Sequence, residues 1–202
     1  KYFLGMKITR DREAHKMQLD MKAYINDKLA LFKLDGKRNY TTPLIKEDLI
    51  ELGEPLEGAK ATEYRAMEGA LLWATLVRPD ICHAVGKLSQ QMSKPTEGWF
   101  KQAQRCWQYL GGTNDQVLTY SCDGGNQEAL MGVGYMFLPE GGECVASGYV
   151  DANLKSPKST TGLVFKLAGA TVIAKSKMQP VTAIATYDAE YYAMSSAMLV
   201  AI

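Results

Sequence analysis

The sequence predicts an α+β chain: a helical first part, residues 1–113, followed by a sheet-forming second part, residues 114–202. Two observations predict it. Between Thr62 and Leu110 apolar residues recur every three or four positions. After Asn114 the period falls to two, β-forming residues take over, and glycine pairs punctuate the runs. Gly111-Gly112 closes the last helix of the first part and marks the joint.

The first part opens with two short strands, residues 2–8 and 16–20, around a polar turn. Tyr24, Ile25, Leu29 and Phe32 then recur at helical spacing up to Leu34, where Asp35-Gly36 is a stop signal. Residues 36–61, rich in Gly, Pro and charge, read as a loop with at most one helical turn. Three helices follow. The first, residues 62–77, is apolar nearly all round (Tyr64, Met67, Ala70, Leu71, Trp73, Ala74) and therefore central. The second starts at Pro79 and turns Ile81, Ala84, Val85, Leu88 and Met92 to one side. The third starts near Thr96, with Phe100, Ala103, Trp107 and Leu110 inward and Lys101, Gln104, Arg105 and Gln108 outward. Trp73, Trp99 and Trp107 are core residues by this spacing; His15 and His83 are isolated and receive no role.

The second part offers strands at 116–121, 129–138, 143–152, 160–168 and 171–177. A last helix begins near Thr186, with Ala189, Ala193, Ala197 and Val200 on one stripe.

Bulk properties narrow the function classes. The 202 residues carry a net charge of +1, so no global field recruits nucleic acid and any phosphate contact must be local. Four cysteines without a CxxC pair argue against a zinc site and against a secreted disulfide framework. No apolar run approaches the ~20 residues of a membrane span, so no membrane partner is expected. The start at Lys1, without an initiator Met, reads as the interior of a longer chain.

Short strings along the chain are similar, in order, to those of copia-type LTR retrotransposon Pol polyproteins. Phe3-Leu4-Gly5-Met6-Lys7-Ile8 resembles the primer-grip strand of a reverse transcriptase. Thr42-Pro43-Leu44, Glu63-Tyr64-Arg65, Gly69-Ala70-Leu71-Leu72, Arg78-Pro79-Asp80-Ile81, Ala84-Val85, Leu88-Ser89, Pro95-Thr96 and Tyr109-Leu110 resemble the thumb and connection. Gly148-Tyr149-Val150-Asp151-Ala152, Lys158-Ser159-Thr160-Thr161-Gly162, Lys175-Ser176-Lys177 and Ala189-Glu190-Tyr191 resemble the opening of the ribonuclease H domain. The resemblance thus implies a helical thumb/connection region followed by a mixed-sheet ribonuclease H-like domain that is C-terminally incomplete, its first strands and first helix falling in residues 114–202.

That family cuts the RNA strand of an RNA/DNA hybrid with two divalent metals, Mg²⁺ or Mn²⁺, held by several carboxylates. The resemblance places Asp151 at the strand position and Glu190 at the helix position of that set, as catalytic residues and metal ligands. By themselves both also read as ordinary acids, Asp151 at a strand end and Glu190, with Asp188, in a helix's first turn. The sequence departs from the family at Asn153 and Leu154, where a second Asp and a Trp are usual, and at Asp188, where Glu is usual. The polymerase aspartates and the later ribonuclease H aspartates have no counterpart here, so little or no cleavage is expected of this chain. Lys155, Lys158, Lys175 and Lys177 are the candidate phosphate contacts, or else a solvated edge that discourages strand pairing. The implied partners are an RNA/DNA hybrid or template-primer, the remainder of the polyprotein, and a second copy across an open sheet edge. The implied location is intracellular: cytoplasm, virus-like particle or nucleus. The alternative reading is a co-opted or decayed remnant that binds nucleic acid or protein without catalysis.

Overall fold

The computed structural model describes residues 1–121, 146–155 and 157–201; the expected strand at 129–138 lies outside them. The chain divides into two compact units, Lys1–Thr9 with Leu19–Leu118, and Arg10–Gln18 with Thr119–Ile202.

The first unit is built on four helices: α1 (Lys22–Leu31), α2 (Gly58–Ala74), α3 (Cys82–Ser89) and α4 (Glu97–Gly112). α1 packs on α4, and α2 packs on both α3 and α4. Tyr64, Met67, Leu71, Leu88, Trp107 and Leu110 are fully buried where they meet. Each such side chain contributes about 1.5–3 kcal/mol by leaving water. A buried Trp or Tyr loses part of its gain unless its polar atom finds a partner. Here the Trp107 indole donates to Met67 O at 3.3 Å, Tyr64 to Leu88 O at 2.7 Å, and Tyr24 to Ala70 O at 3.0 Å. Phe32 packs tilted on Trp107, ring centres 5.6 Å apart.

Three local details differ from expectation. The first strand is two, β1 (Tyr2–Phe3) and β2 (Met6–Asp11), paired antiparallel. Positive φ at both Leu4 and Gly5 makes the reversal between them, as in a type I′ turn. The chain then returns through β3 (Lys16–Asp20). α1 stops at Leu31 rather than Leu34. Lys33 takes the left-handed conformation, and Leu34 N–H closes back on Leu29 O at 2.8 Å, a Schellman cap formed without glycine. α2 begins at Gly58, four residues before the expected start, because its buried face reaches back to Ala61.

α4 shows why one glycine is required. Its first N–H groups are satisfied by the preceding loop, Glu97 N–H by Glu54 O at 3.0 Å and Gly98 N–H by Leu52 O at 2.9 Å. A Cβ at Gly98 would lie 2.0 Å from Glu51 O, so no side chain fits there.

β4 (Leu118–Ser121) completes a four-stranded sheet of order β1-β2-β3-β4. A separate antiparallel meander, order β5-β6-β7, comprises β5 (Ala146–Asn153), β6 (Thr160–Leu167) and β7 (Ala170–Met178). α5 (Thr186–Ala201) packs on β5 and β6.

Candidate functional site

The site expected around Asp151 and Glu190 is carried by β5 and α5. Val150 and Ala152 of β5 pack, with Ala183, against Ala189 and Ala193 of α5. Alanines on both sides let strand and helix approach closely. Asp151 adjoins Ala152 in sequence and Glu190 adjoins Ala189, so both acids stand on directly packed elements. Successive side chains of a strand leave opposite faces. Asp151, flanked by two residues that face α5, is therefore on the other face of the sheet, opposite Gly162 of β6, and it is exposed. Glu190 is half-buried on the helix. Asp188 acts as a cap: its carboxylate accepts the Ala185 N–H at 3.1 Å, tying the first turn of α5.

Two Mg²⁺ require several carboxylates on one surface. Among the described residues no three or more His, Cys, Asp or Glu side chains are grouped to hold a metal. Asp151 and Glu190 alone do not fit such a pair.

The four lysines separate two and two. Lys175 and Lys177 of β7 pair with Leu163 and Thr161 of β6. They line a cavity of about 260 Å³ together with Thr161, Gln179, Tyr192 and Ser196. Tyr192 sits about 200° around α5 from Glu190, so this cavity flanks the opposite side of the helix from the acid. Lys155 and Lys158 are on the β5–β6 connection, Lys155 exposed and Lys158 half-buried.

Sequence reasoning missed Gln179. It is 1% exposed, and its Nε2 donates to Thr161 Oγ1 at 3.0 Å and to Ala189 O at 2.9 Å, joining sheet to helix. Gln-Pro after a strand carries no signal for that role. The Arg78-Pro79-Asp80-Ile81 string is likewise structural. Arg78, 3% exposed, forks Asp80 at 2.9 and 2.7 Å and donates to Thr113 O and Oγ1 at 2.9 and 2.7 Å. Tyr109 donates to the same carboxylate at 2.8 Å. Burial pushes Asp80 up, but the hydrogen bonds from Arg78 and Tyr109 outweigh it and hold the carboxyl below its usual range.

No protein-family profile matches the chain, and no solved structure matches it. It is 30% identical over 94% of its length to the retrovirus-related Pol polyprotein from transposon TNT 1-94 of Nicotiana tabacum. It is 28% identical over 96% of its length to that from transposon RE1 of Arabidopsis thaliana. The chain spans only 14% and 12% of those two polyproteins. It is also 31% identical, over 68% of its length, to secreted RxLR effector protein 161 of Plasmopara viticola, and covers 88% of that protein.

Proposed function

We propose that this chain, which belongs to the Pol polyproteins of copia-type LTR retrotransposons, is the part of such a polyprotein that holds an RNA/DNA hybrid or template-primer between polymerase and ribonuclease H. The observation that carries the reading is the placement of Lys175 and Lys177 two residues apart on β7, where both line one cavity with Tyr192 and Ser196 of α5. Such a lysine pair suits successive phosphates, which position a nucleic acid without reading its sequence. The helical first part followed by a meander and a covering helix also accords with a thumb/connection and the opening of a ribonuclease H-like domain. Lys155 and Lys158 extend the same role to the β5–β6 connection.

The retroelement reading names Asp151 and Glu190 as members of a larger carboxylate set, but with Asp151 on the sheet face away from α5 no shared metal site is assigned to the two. Mg²⁺ or Mn²⁺ is the cofactor class that hard oxygen ligands take. No cleavage step is assigned to these two residues alone. The chain is part of a larger polyprotein, and among the described residues no helix is long and apolar enough to cross a membrane. Location in the cytoplasm, a virus-like particle or the nucleus goes with the retroelement reading. Among the described residues β5 is paired on one side only, and a second copy is the proposed occupant of the other. A strict monomer by light scattering rejects that pairing.

The test is anisotropy titration of a labelled RNA/DNA hybrid across a salt series, with Lys175→Glu and Lys177→Glu as variants. Each charge reversal is expected to lower the salt slope by at least about one. Absence of hybrid binding by the unmodified chain rejects the proposal. The similarity to an effector protein that the chain covers at 88%, together with Asn153, favours a second reading, a non-catalytic interaction module. Cleavage in Mg²⁺ or Mn²⁺ that Asp151→Asn abolishes supports the enzyme; hybrid binding without cleavage supports the module.

A further inference from the structure

In the first unit, outside the strands and helix just described, the loop after α1 and the outer face of α4 converge on an unexpected group. Arg105 of α4 is anchored, its Nε donating to Thr42 O at 3.1 Å and its Nη2 to Thr42 Oγ1 at 2.8 Å. Its guanidinium carbon lies 4.1 Å from the centre of the Tyr40 ring, and that of Arg38 lies 5.5 Å from the same centre. Two like charges therefore share one aromatic ring. Cation–π attraction offsets part of their repulsion and holds both in place. Among the described residues neither guanidinium is paired with a carboxylate. Such a fork is preorganised for a phosphate, which accepts from several N–H groups at once.

The alternate residues of the same loop do something else. Lys37 and Asn39 line a cavity of about 460 Å³, with Asn26, Asp35 and Gln108 supplying further polar atoms over the apolar Leu29. Arg105 and Gln108 are neighbours one turn apart on α4, so the fork and the cavity adjoin. The cavity falls in the range of small-ligand sites. Its amides offer donors and acceptors together, which is what the edge of an unpaired base presents.

We infer that the Arg38–Tyr40–Arg105 fork and the adjoining amide-lined cavity form a single-strand site, the fork taking a backbone phosphate and the cavity the base beside it. The inference rests on the nucleic-acid-handling reading and adds to it a second, unpaired-strand contact away from the lysine flank. Net charge does not reveal it, because the whole chain sums to only +1.

The test uses the full chain and a fluorescein-labelled 12-nucleotide single strand, titrated at several salt concentrations beside the RNA/DNA hybrid. Arg38 and Asn39 are both exposed, so Arg38→Ala and Asn39→Ala are expected to leave thermal stability unchanged. Arg38→Ala should weaken single-strand binding about tenfold and lower the salt slope by about one. Asn39→Ala should weaken it about tenfold with the slope unchanged. Unaltered affinity in both variants overturns the inference, as does displacement of the strand by polyaspartate at equal charge concentration. If the native chain binds the hybrid through Lys175 and Lys177 while the Arg38 variant binds single strands normally, only this inference falls. If the native chain binds neither nucleic acid, the proposed function falls with it.

Discussion

The hydroxyl of Ser89 on α3 meets a carboxyl oxygen of Glu68 on α2, and the same hydroxyl lies 2.9 Å from Val85 O. A hydroxyl has one proton and cannot donate to both. The conflict disappears if Glu68 is protonated: it then donates to Ser89, which donates onward to Val85. Glu68 is fully buried and its other oxygen has no partner, circumstances that penalise a carboxylate far more than an acid. Burial accordingly pushes its carboxyl above the usual range, the Ser89 hydrogen bond only partly opposing it. Nearby Tyr64 is pushed up as well, by burial first and by Glu68 second.

The sign of the pH effect follows. A carboxyl raised in the folded state favours folding fully below its unfolded value of about 4.3, and loses that contribution as pH climbs through the folded value. Glu68→Gln keeps the same hydrogen-bond chain without a titrating proton. It should be more stable than the native chain at pH 8 by on the order of 1 kcal/mol, and indistinguishable near pH 4. Urea midpoints at the two pH values measure this; parallel curves would show that Glu68 is ionised.

Asp80 gives the opposite dependence. Its depressed carboxyl stabilises the fold above about pH 3.9, and that contribution disappears as pH falls through the folded value. Asp80→Asn leaves the buried Arg78 guanidinium without its counter-charge and should cost about 3 kcal/mol at pH 7. Denaturation curves of variant and native chain should converge at low pH. A constant gap at every pH would mean that the loss is one of packing, not charge.

The cap of α1 invites a stabilising change. Lys33 holds φ +55°, a conformation that costs a residue with a Cβ roughly 1 kcal/mol and costs glycine none. Lys33→Gly should raise stability by about 0.5 kcal/mol, the greater entropy of unfolded glycine absorbing part of the gain. A fall in thermal midpoint would show that the Lys33 side chain makes a contact of greater value.

What the sequence made legible was local and periodic. α4 could be read from Phe100, Ala103, Trp107 and Leu110, and α5 from its alanine stripe, because burial repeats at the helical period. The strand positions of β5, β6 and β7 followed from composition and turns. Even the face of Asp151 was implicit in the apolar neighbours Val150 and Ala152, though the reading of Asp151 as a metal ligand did not draw on it. Contacts between distant residues left no such trace. Gln18 Nε2 reaches Thr119 Oγ1 at 3.4 Å, and Arg78 reaches Thr113, through pairings that no short window contains. The turn at Leu4 and the cap at Lys33 were missed for a different reason. Each places an ordinary side chain in a conformation for which glycine is the usual signal.

Gln179 allows the sharpest test of how the second unit's sheet and helix are joined. The Nε2 group must face Ala189 O, since a carbonyl can only accept, and this fixes which end of the amide is which. Replacing it by Ala removes the second bond to the Ala189 carbonyl and leaves the Thr161 hydroxyl without this donor in a buried place, at a cost of about 1–3 kcal/mol. Gln179→Glu keeps the shape yet turns an oxygen toward that carbonyl, so it should be at least as damaging at pH 7 and recover as pH falls below about 5, where the acid regains a proton to donate. Hydrogen exchange at the amides of α5 and of Thr161 reports both variants. If the Glu variant protects those amides as well as the native chain at neutral pH, the helix is held to the sheet by the Ala152, Ala189 and Ala193 packing alone, and the amide link contributes nothing.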